Sequence, residues 1–382
     1  MAAGIVIAGA GLAGLRTAEE LRVRDFAGSI TLLGAEIRPP YDRPPLSKKV
    51  LIDADPPDPS LKADFAALGV DFRPGAPATA IDTSVPTVIA TGAAPVALPG
   101  PGPQRFLRTY DDALALRGVL KPGTRLAIVG AGWIGAELAT AAAGHGCAVT
   151  VLEAGQAPLA AAITEQIGSL TKPWYDQAGV ELRTGVAVQS VQQGGLALRG
   201  GEWLPADEVV TAIGVRPAIQ WLDGSGLTID NGVAVDAGLR TSIPGVFAVG
   251  DCAAFESVRF GRRLRFEHWD VALHAPKVVA ANLLGGDEVY DPVPYFWSEQ
   301  FGRMVQYAGY HGDATRLIWR GDPASDQKWA VCWLAADGRL AAILTVDRPR
   351  DLVQARRVIE AGGDVDQSRL ADPAIPVKDA AT

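Results

Sequence analysis

Two stretches decide the fold: GIVIAGAGLAG, Gly4 to Gly14, and TRLAIVGAGWIG, Thr124 to Gly135. Each is an apolar, β-branched strand that runs into G-x-G-x-x-G and then into a helical pattern. The glycines are Gly9, Gly11 and Gly14 in the first copy and Gly130, Gly132 and Gly135 in the second. In such a stretch the first glycine makes the tight turn and the second lets the backbone approach a pyrophosphate. The third lets helix and strand pack closely, and the helix N-terminus offers free N–H donors. Each copy is followed by a second strand with a carboxylate near its end. Glu36 follows SITLLG, 22 residues past Gly14, and Glu153 follows CAVTVL, 18 residues past Gly135. Both spacings lie near the roughly 20 residues expected of an acid that accepts from a ribose hydroxyl. One such fingerprint predicts one dinucleotide, and two predict two.

Outward from these stretches the doubling continues. The first unit returns through β-like runs (VDFRP, ATAIDT, TVIA) to Ala90–Thr91–Gly92, and the second returns to Ala212–Ile213–Gly214 in the matching place, the mark of an internal duplication. Between them, PVALPGPGP reads as a crossover and RTYDDALALRGVL as a helix. After Glu153 the pattern predicts a helix over about 163–179 and strands from Val180 to Val210. The loop from Gly34 to Leu51 holds four prolines, predicting an extended path, and carries Tyr41, Asp42, Arg43 and Lys48. These side chains either face a cofactor or are ordinary solvated charge. The stretch GVFAVGD, Gly245 to Asp251, reads as a buried strand. Its Asp251 lies where open parallel sheets bind ligands, or it caps the next helix. A basic cluster follows (Arg259, Arg262, Arg263, Arg265), then a helix from near His268. From Trp297 onward, alternating β-like runs and a helix, DLVQARRVIEAG, predict a small α+β domain whose last dozen residues fray.

Composition excludes several classes. Its 382 residues allow two or three domains, and 48% hydrophobic content supports a large core. A net charge of −8 argues against bulk attraction to nucleic acid or an acidic membrane. The apolar N-terminus lacks the basic region and cleavage site of a signal peptide, and no stretch is apolar enough to span a bilayer, so a cytoplasmic location is expected. Cys147, Cys252 and Cys332 form neither C-x-x-C nor C-x-x-x-x-C. That spacing predicts no local redox disulfide, and with four histidines no protein-held metal.

Eight motifs in order, GAGLAG, PYDRPPLSK, ATG, GAGWIGAELA, TAIGVRP, GVFAVGDCA, EHWDVALHAPK and YFWSEQFG, carry a resemblance over nearly the whole chain. The chain resembles the FAD-dependent NAD(P)H reductases of the glutathione-reductase fold, and within them the ferredoxin reductases that serve oxygenases. The resemblance implies an α/β fold of two Rossmann-like dinucleotide-binding domains plus a C-terminal α+β domain. FAD would be held by residues 1–105 and 224–296, and NADH by 106–223, with 297–382 forming the C-terminal domain. Carried over by position, the FAD contacts are Gly9, Gly11, Ala13, Gly14, Glu36, Arg43, Lys48, Ala78, Arg108, Asp251 and Trp269. The NADH contacts are Gly130, Gly132, Trp133, Ile134, Gly135, Glu153 and Gly214. Lys48, Glu137 and Trp269 take the catalytic places: Lys48 near the flavin ring, Glu137 near the nicotinamide and Trp269 against the isoalloxazine. Trp269 and Trp297 otherwise read as core packing. The chain departs from the family pattern at Ala94, where a basic residue is usual, and in a short segment from Ile52 to Gly69.

Two nucleotide sites suit a hydride relay in which electrons enter paired and leave singly. Without a dithiol, electrons would pass from the flavin directly to an external acceptor. The expected acceptor is a [2Fe–2S] ferredoxin serving a cytochrome P450 or a ring-hydroxylating dioxygenase. The Arg259–Arg265 cluster is the candidate docking patch, or else a solvated hairpin. Alternatives are a rubredoxin- or nitrite-reductase-linked reductase of the same fold and a redox-sensing flavoprotein without turnover. Glu153, followed by Ala154, Gly155 and Gln156, predicts NADH over NADPH.

Overall fold

The computed structural model describes residues 4–382. The chain forms two compact units. One comprises the residues up to Asp42, Ser60–Ala94 and Arg216–Phe296, and the other Arg43–Pro59, Pro95–Val215 and Trp297–Thr382.

The first unit is built on a five-stranded parallel sheet in the order Val246–Ala248, Thr87–Ile89, Gly4–Ala8, Ser29–Leu33, Val70–Arg73. The helices Leu12–Val23 and Trp269–Leu283 pack on each other, and Ile5, Ile7, Leu15, Leu21, Ile30, Leu32 and Ile89 are buried. The second unit repeats this plan with four parallel strands in the order Glu208–Thr211, Arg125–Val129, Ala148–Glu153, Glu181–Thr184. In both sheets the fingerprint strand is flanked by the acidic strand on one side and the returning strand on the other. The duplication read from the sequence is therefore a duplication of topology. The second unit also carries a meander, Val188–Gln192, Gly195–Leu198 and Trp203–Pro205, and a five-stranded sheet with the helix Pro349–Ala361 packed on it.

Four local expectations need correction. The proline-rich loop is not extended throughout: Pro44–Ser47 form a 3-10 turn and Lys49–Ile52 a helical turn. Proline at a first helical position loses no hydrogen bond, so the same residues that block a long helix start a short one. The helix expected over 163–179 is broken into Ala160–Ile163, Glu165–Gly168, Ser169–Thr171 and Lys172–Gln177. Thr164 stands at φ 79° between the first two pieces. ATAIDT forms no strand, because the Asp82 carboxylate accepts from both the amide and the hydroxyl of Ser84 at 2.9 and 2.6 Å, closing a turn.

The C-terminus does not fray. Gln367–Ala371 is helical, Val377 and Ala380 are fully buried, and Thr382 N–H donates to the Asp364 carbonyl at 3.0 Å. The anchor is Arg320, 0% exposed. It donates to Asp351 Oδ2 at 3.1 Å and to the tail carbonyls of Leu370, Asp372 (3.1 Å) and Ile375 (2.9 Å). Arg348 shares the same Asp351 oxygen at 2.6 Å. Removing one partner of a buried pair strands the other, at a cost of about 3–5 kcal/mol. Arg320→Leu is expected to lower the urea midpoint by that order and to expose the chain beyond Ala361 to limited proteolysis. A tail that stays protected would show that the apolar contacts of Val377 and Ala380 suffice.

Candidate functional site

The two fingerprints divide their glycines into two kinds. A Cβ on Gly9 would lie 2.2 Å from the Ala90 carbonyl oxygen, and one on Gly14 1.9 Å from the Gly9 carbonyl oxygen. In the second copy the matching distances are 2.4 Å from Gly130 to Ala212 and 1.9 Å from Gly135 to the Gly130 oxygen. These four glycines are required by protein packing against protein. Gly11 and Gly132 are not. A Cβ on either meets nothing within 4 Å, and their φ values of −83° and −76° suit any residue. The room above the middle glycines is what an incoming pyrophosphate needs. The residues present thus fit a bound dinucleotide in each unit.

In the first unit four strand ends converge at the C-terminal edge of the sheet. The return Ala90–Thr91 lies against Gly9, and Gly250 lies against Ala13, where an added Cβ would approach the alanine Cβ to 3.2 Å. Asp251 sits in the one-turn 3-10 helix Gly250–Cys252, whose N-cap is Val249, so the capping alternative for Asp251 falls. Glu36 accepts a hydrogen bond from the Tyr41 hydroxyl. Trp269 opens its helix and donates from Nε1 to Asp42 Oδ1 at 2.9 Å, which fixes the plane of the indole. Beside it, His268 stacks on Phe266 (5.2 Å between ring centres) and meets the Phe296 ring at a tilt (4.8 Å, 48°). Its Nδ1 is buried with no protein partner, and burial pushes its pKa down to about 4 despite the nearby Asp251 carboxylate. Ala78 is half-buried on an irregular, largely exposed segment of the same unit.

In the second unit Glu153 binds its own fingerprint. Oε2 accepts from Ala131 N–H at 2.9 Å and Oε1 from Gly155 N–H at 2.7 Å. The carboxylate keeps lone pairs for a further donor, while its orientation is set by the loop. Ile134 and Ile213 are 42% and 39% exposed, Gly214 is exposed, and Trp133 is half-buried. Arg43 and Arg108 are brought together, the Arg43 guanidinium donating to the Arg108 carbonyl.

A buried polar cluster in this unit is centred on Glu137, which is 3% exposed. Lys48 Nζ donates to Oε2 at 2.9 Å, and the Ser47 hydroxyl donates to the same oxygen. Ser298 Oγ and Glu299 N–H donate to Oε1 at 2.6 and 3.1 Å. Four donors on one carboxylate offset the cost of burying it. The sequence reading placed Lys48 and Glu137 in the same chemistry, and the fold places them in contact. It did not find Ser47, Ser298, Tyr41 or Asp42 as partners. Ser298 lies in the quoted motif YFWSEQFG, but nothing in its spacing points to a carboxylate 161 residues away.

Of the basic cluster, Arg263 is paired with Glu256 (2.9 Å) and Asp230 (3.1 Å), and Arg265 with Glu267 (2.7 Å). Arg259 and Arg262 are exposed around the hairpin formed by Ala253–Ser257 and Arg262–Leu264. The three cysteines are free thiols. Among the described residues no helix is long and apolar enough to cross a membrane.

Two cradles of this geometry, each over a parallel sheet, define an oxidoreductase of the two-dinucleotide class. The chain belongs to the pyridine nucleotide-disulphide oxidoreductase family, which matches residues 3–275, and a reductase C-terminal domain matches residues 295–381. It is 38% identical to the ferredoxin–NAD(+) reductase component of the anthranilate 1,2-dioxygenase system of Burkholderia cepacia, over 98% of both chains. Its fold is similar to the crystal structure of Fdr9, with 46% identity, a TM-score of 0.94, and coverage of 98% of this chain and 99% of that one. It is also similar to putidaredoxin reductase in its covalent complex with putidaredoxin, with 31% identity, a TM-score of 0.92, and coverage of 99% and 97%. The fold expected from the sequence is confirmed by these matches.

Two predictions follow from the site. Gly11→Ala and Gly132→Ala should fold normally but lose binding. The first is expected to purify with little flavin. The second should keep its flavin while the KM for NADH rises about tenfold or more, ~1.4 kcal/mol. Gly14→Ala, which forces a Cβ into backbone, should fail to yield folded protein. Full NADH affinity in Gly132→Ala would remove the ligand explanation for that glycine.

The second concerns pH. The folded His268 titrates near 4, against an ordinary value of 6.5. Between those values the unfolded chain holds a proton that the folded chain rejects, so this contribution to stability is present above about 6.5 and is lost as pH falls towards 4. His268→Gln should flatten that part of the urea-midpoint profile, and an unchanged slope would assign it to other groups.

Proposed function

We propose that this chain is an NADH-dependent, FAD-containing ferredoxin reductase that supplies electrons to an oxygenase through a [2Fe–2S] ferredoxin. The observation that carries the reading is the pair of fingerprints whose middle glycines face open space, one in each unit. The relatives named as ferredoxin reductase components of dioxygenase systems, matched end to end, support the choice of acceptor.

We assign FAD to residues 1–105 and 224–296, NADH to 106–223, and a covering role to the C-terminal domain 297–382. When bound, the flavin supplies the conversion of a two-electron donor into single electrons. The chain's own work is positioning. The cradle at Gly9–Gly14 with Glu36 and Asp251 would hold the flavin nucleotide, together with Ala13, Ala78, Arg43 and Arg108. The cradle at Gly130–Gly135 would hold NADH, together with Trp133, Ile134, Gly214 and Glu153. Trp269, with its ring plane fixed by Asp42, would bound the flavin ring. Glu137 would keep the Lys48 ammonium in place in a site from which water is largely excluded. Orientation of donor and acceptor is worth more here than acid–base chemistry. The free cysteines and the use of NADH favour the cytoplasm.

Glu153 puts negative charge beside the ribose position, and no cation follows it in Ala154–Gln156. Catalytic efficiency with NADH should exceed that with NADPH by about tenfold or more, ~1.4 kcal/mol. Equal efficiency would refute the assignment of Glu153.

Docking is tested with Arg259→Glu/Arg262→Glu, two exposed members of the cluster. Reduction of an acidic ferredoxin should slow and lose part of its salt dependence, while reduction of ferricyanide is unchanged. If both rates fall together, the hairpin is not a docking site. A panel of ferredoxin, rubredoxin and nitrite reductase as acceptors tests the partner class. Turnover confined to either of the last two would overturn the ferredoxin assignment.

A further inference from the structure

We propose that Arg117, assisted by His145, is the positioning residue that holds Lys48 against Glu137 and thereby sets the rate of flavin reduction. The part concerning rate rests on the role given to Lys48 under the proposed function.

Lys48 sits between two single turns. Its amide donates to the Pro45 carbonyl at 3.1 Å, closing the 3-10 turn Pro44–Ser47, and its carbonyl accepts from Leu51 and Ile52 at 2.9 Å, opening the turn Lys49–Ile52. A helix of one turn has no stability of its own, because nucleation consumes more free energy than its few bonds return. Its placement must come from outside. Ser47 and Lys48, at its start, are bound by Glu137. Its end is bound elsewhere. Arg117, in the last turn of the helix Tyr110–Val119, donates from NH1 to the Val50 carbonyl at 3.0 Å and to that of Leu51 at 3.4 Å, and from NH2 to the Ala54 carbonyl at 2.7 Å. His145 Nε2 lies 2.6 Å from the Leu51 carbonyl oxygen, which can only accept, so this nitrogen carries the proton.

The arrangement is a grip at two points. Glu137 lies in the helix Trp133–Gly144, and His145 is the C-cap of that same helix. One rigid element therefore holds the start of the short turn through Glu137 and its end through His145, and Arg117 closes the remaining carbonyls. These carbonyls are the ones that a terminal helical turn leaves without partners, and a guanidinium fork serves several of them at once. Without that clamp the turn frays, the Lys48 carbonyl loses its two helical donors, and the ammonium is no longer confined. Neither Arg117 nor His145 touches Glu137 or Lys48 in this network, so each acts only through the turn.

The test uses the flavin-loaded full chain with Arg117→Met, Arg117→Lys, His145→Ala, Lys48→Met and the double variant Arg117→Met/Lys48→Met. The first readout is the rate of Lys48 acylation by a soluble N-hydroxysuccinimide ester, followed by mass spectrometry. It should rise at least about threefold in Arg117→Met, less in His145→Ala, with other lysines unchanged, as expected when a confining equilibrium is weakened locally. The second is flavin reduction by saturating NADH in stopped flow. Arg117→Met should slow it about three- to tenfold with half-saturation by NADH unchanged, Arg117→Lys should recover part of the loss, and the double variant should match Lys48→Met alone.

Unchanged Lys48 reactivity in both Arg117→Met and His145→Ala overturns the clamp. A loss in the double variant equal to the product of the two single losses shows an independent structural effect and also overturns it. If Lys48 becomes reactive but Lys48→Met reduces its flavin at the parent rate, the clamp stands and the role of Lys48 in flavin reduction fails. Should Arg117→Met not fold, Arg117→Lys and His145→Ala give the same readouts at smaller amplitude.

Discussion

The molecule depends on a backbone-to-backbone contact that occurs twice. In each fingerprint the helix lies so close to its strand that a Cβ on the third glycine would stand 1.9 Å from the first glycine's carbonyl oxygen. No side chain fits there. The close approach aims the helix N-terminus over the end of the parallel sheet, and it sets the turn at the height where the returning strands arrive. The first glycines, at φ 117° and 104°, make a turn that other residues rarely adopt, and they pack on the Ala90 and Ala212 carbonyls. Everything that shapes a nucleotide site in either unit is referred to these two turns.

Around that constraint each unit arranges its charge differently. In the second unit Glu153 turns inward and hydrogen-bonds the loop it is expected to serve, so one carboxylate both stiffens the cradle and presents negative charge. Glu137 is buried and would be costly alone. Four donors from two separate segments, Ser47–Lys48 and Ser298–Glu299, make it tolerable. Such a cluster rigidifies because losing any one partner leaves a buried charge undersatisfied. In the first unit the Tyr41 hydroxyl donates to Glu36 and the Trp269 indole to Asp42. An indole held by its N–H cannot rotate freely, which suits a residue assigned to bound a flat ring.

Much of the fold was legible because its signals are local. The first fingerprint's strand Gly4–Ala8, helix Leu12–Val23 and following strand Ser29–Leu33 fall in the order its motif predicts, since apolar runs, glycine spacing and an acidic strand end all fall within about 30 residues. The errors also share a cause. Pro44 and Pro45 were read as holding their loop extended, yet at first helical positions they help to start a turn. Asp82 and Ser84 turned a β-like run into a turn. The C-terminus read as polar and loose, but Arg320, fully buried some 50 residues earlier, collects its carbonyls.

The sequence by itself determined that there would be two dinucleotide cradles, a carboxylate near the end of the strand that follows each, and no closely spaced pair of cysteines. Those facts follow from residue types at short spacing, where the chain's own geometry dictates what meets what. Only the tertiary structure decided which middle glycines face open space, that Asp251 is not a cap, that Arg263 pairs with Glu256 and Asp230 and Arg265 with Glu267, and that Lys48 reaches Glu137 with Ser298 on the other oxygen. Those partners lie 89 and 161 residues away along the chain. Contacts at such separation are set by how sheets and helices pack, and packing leaves no period in the sequence.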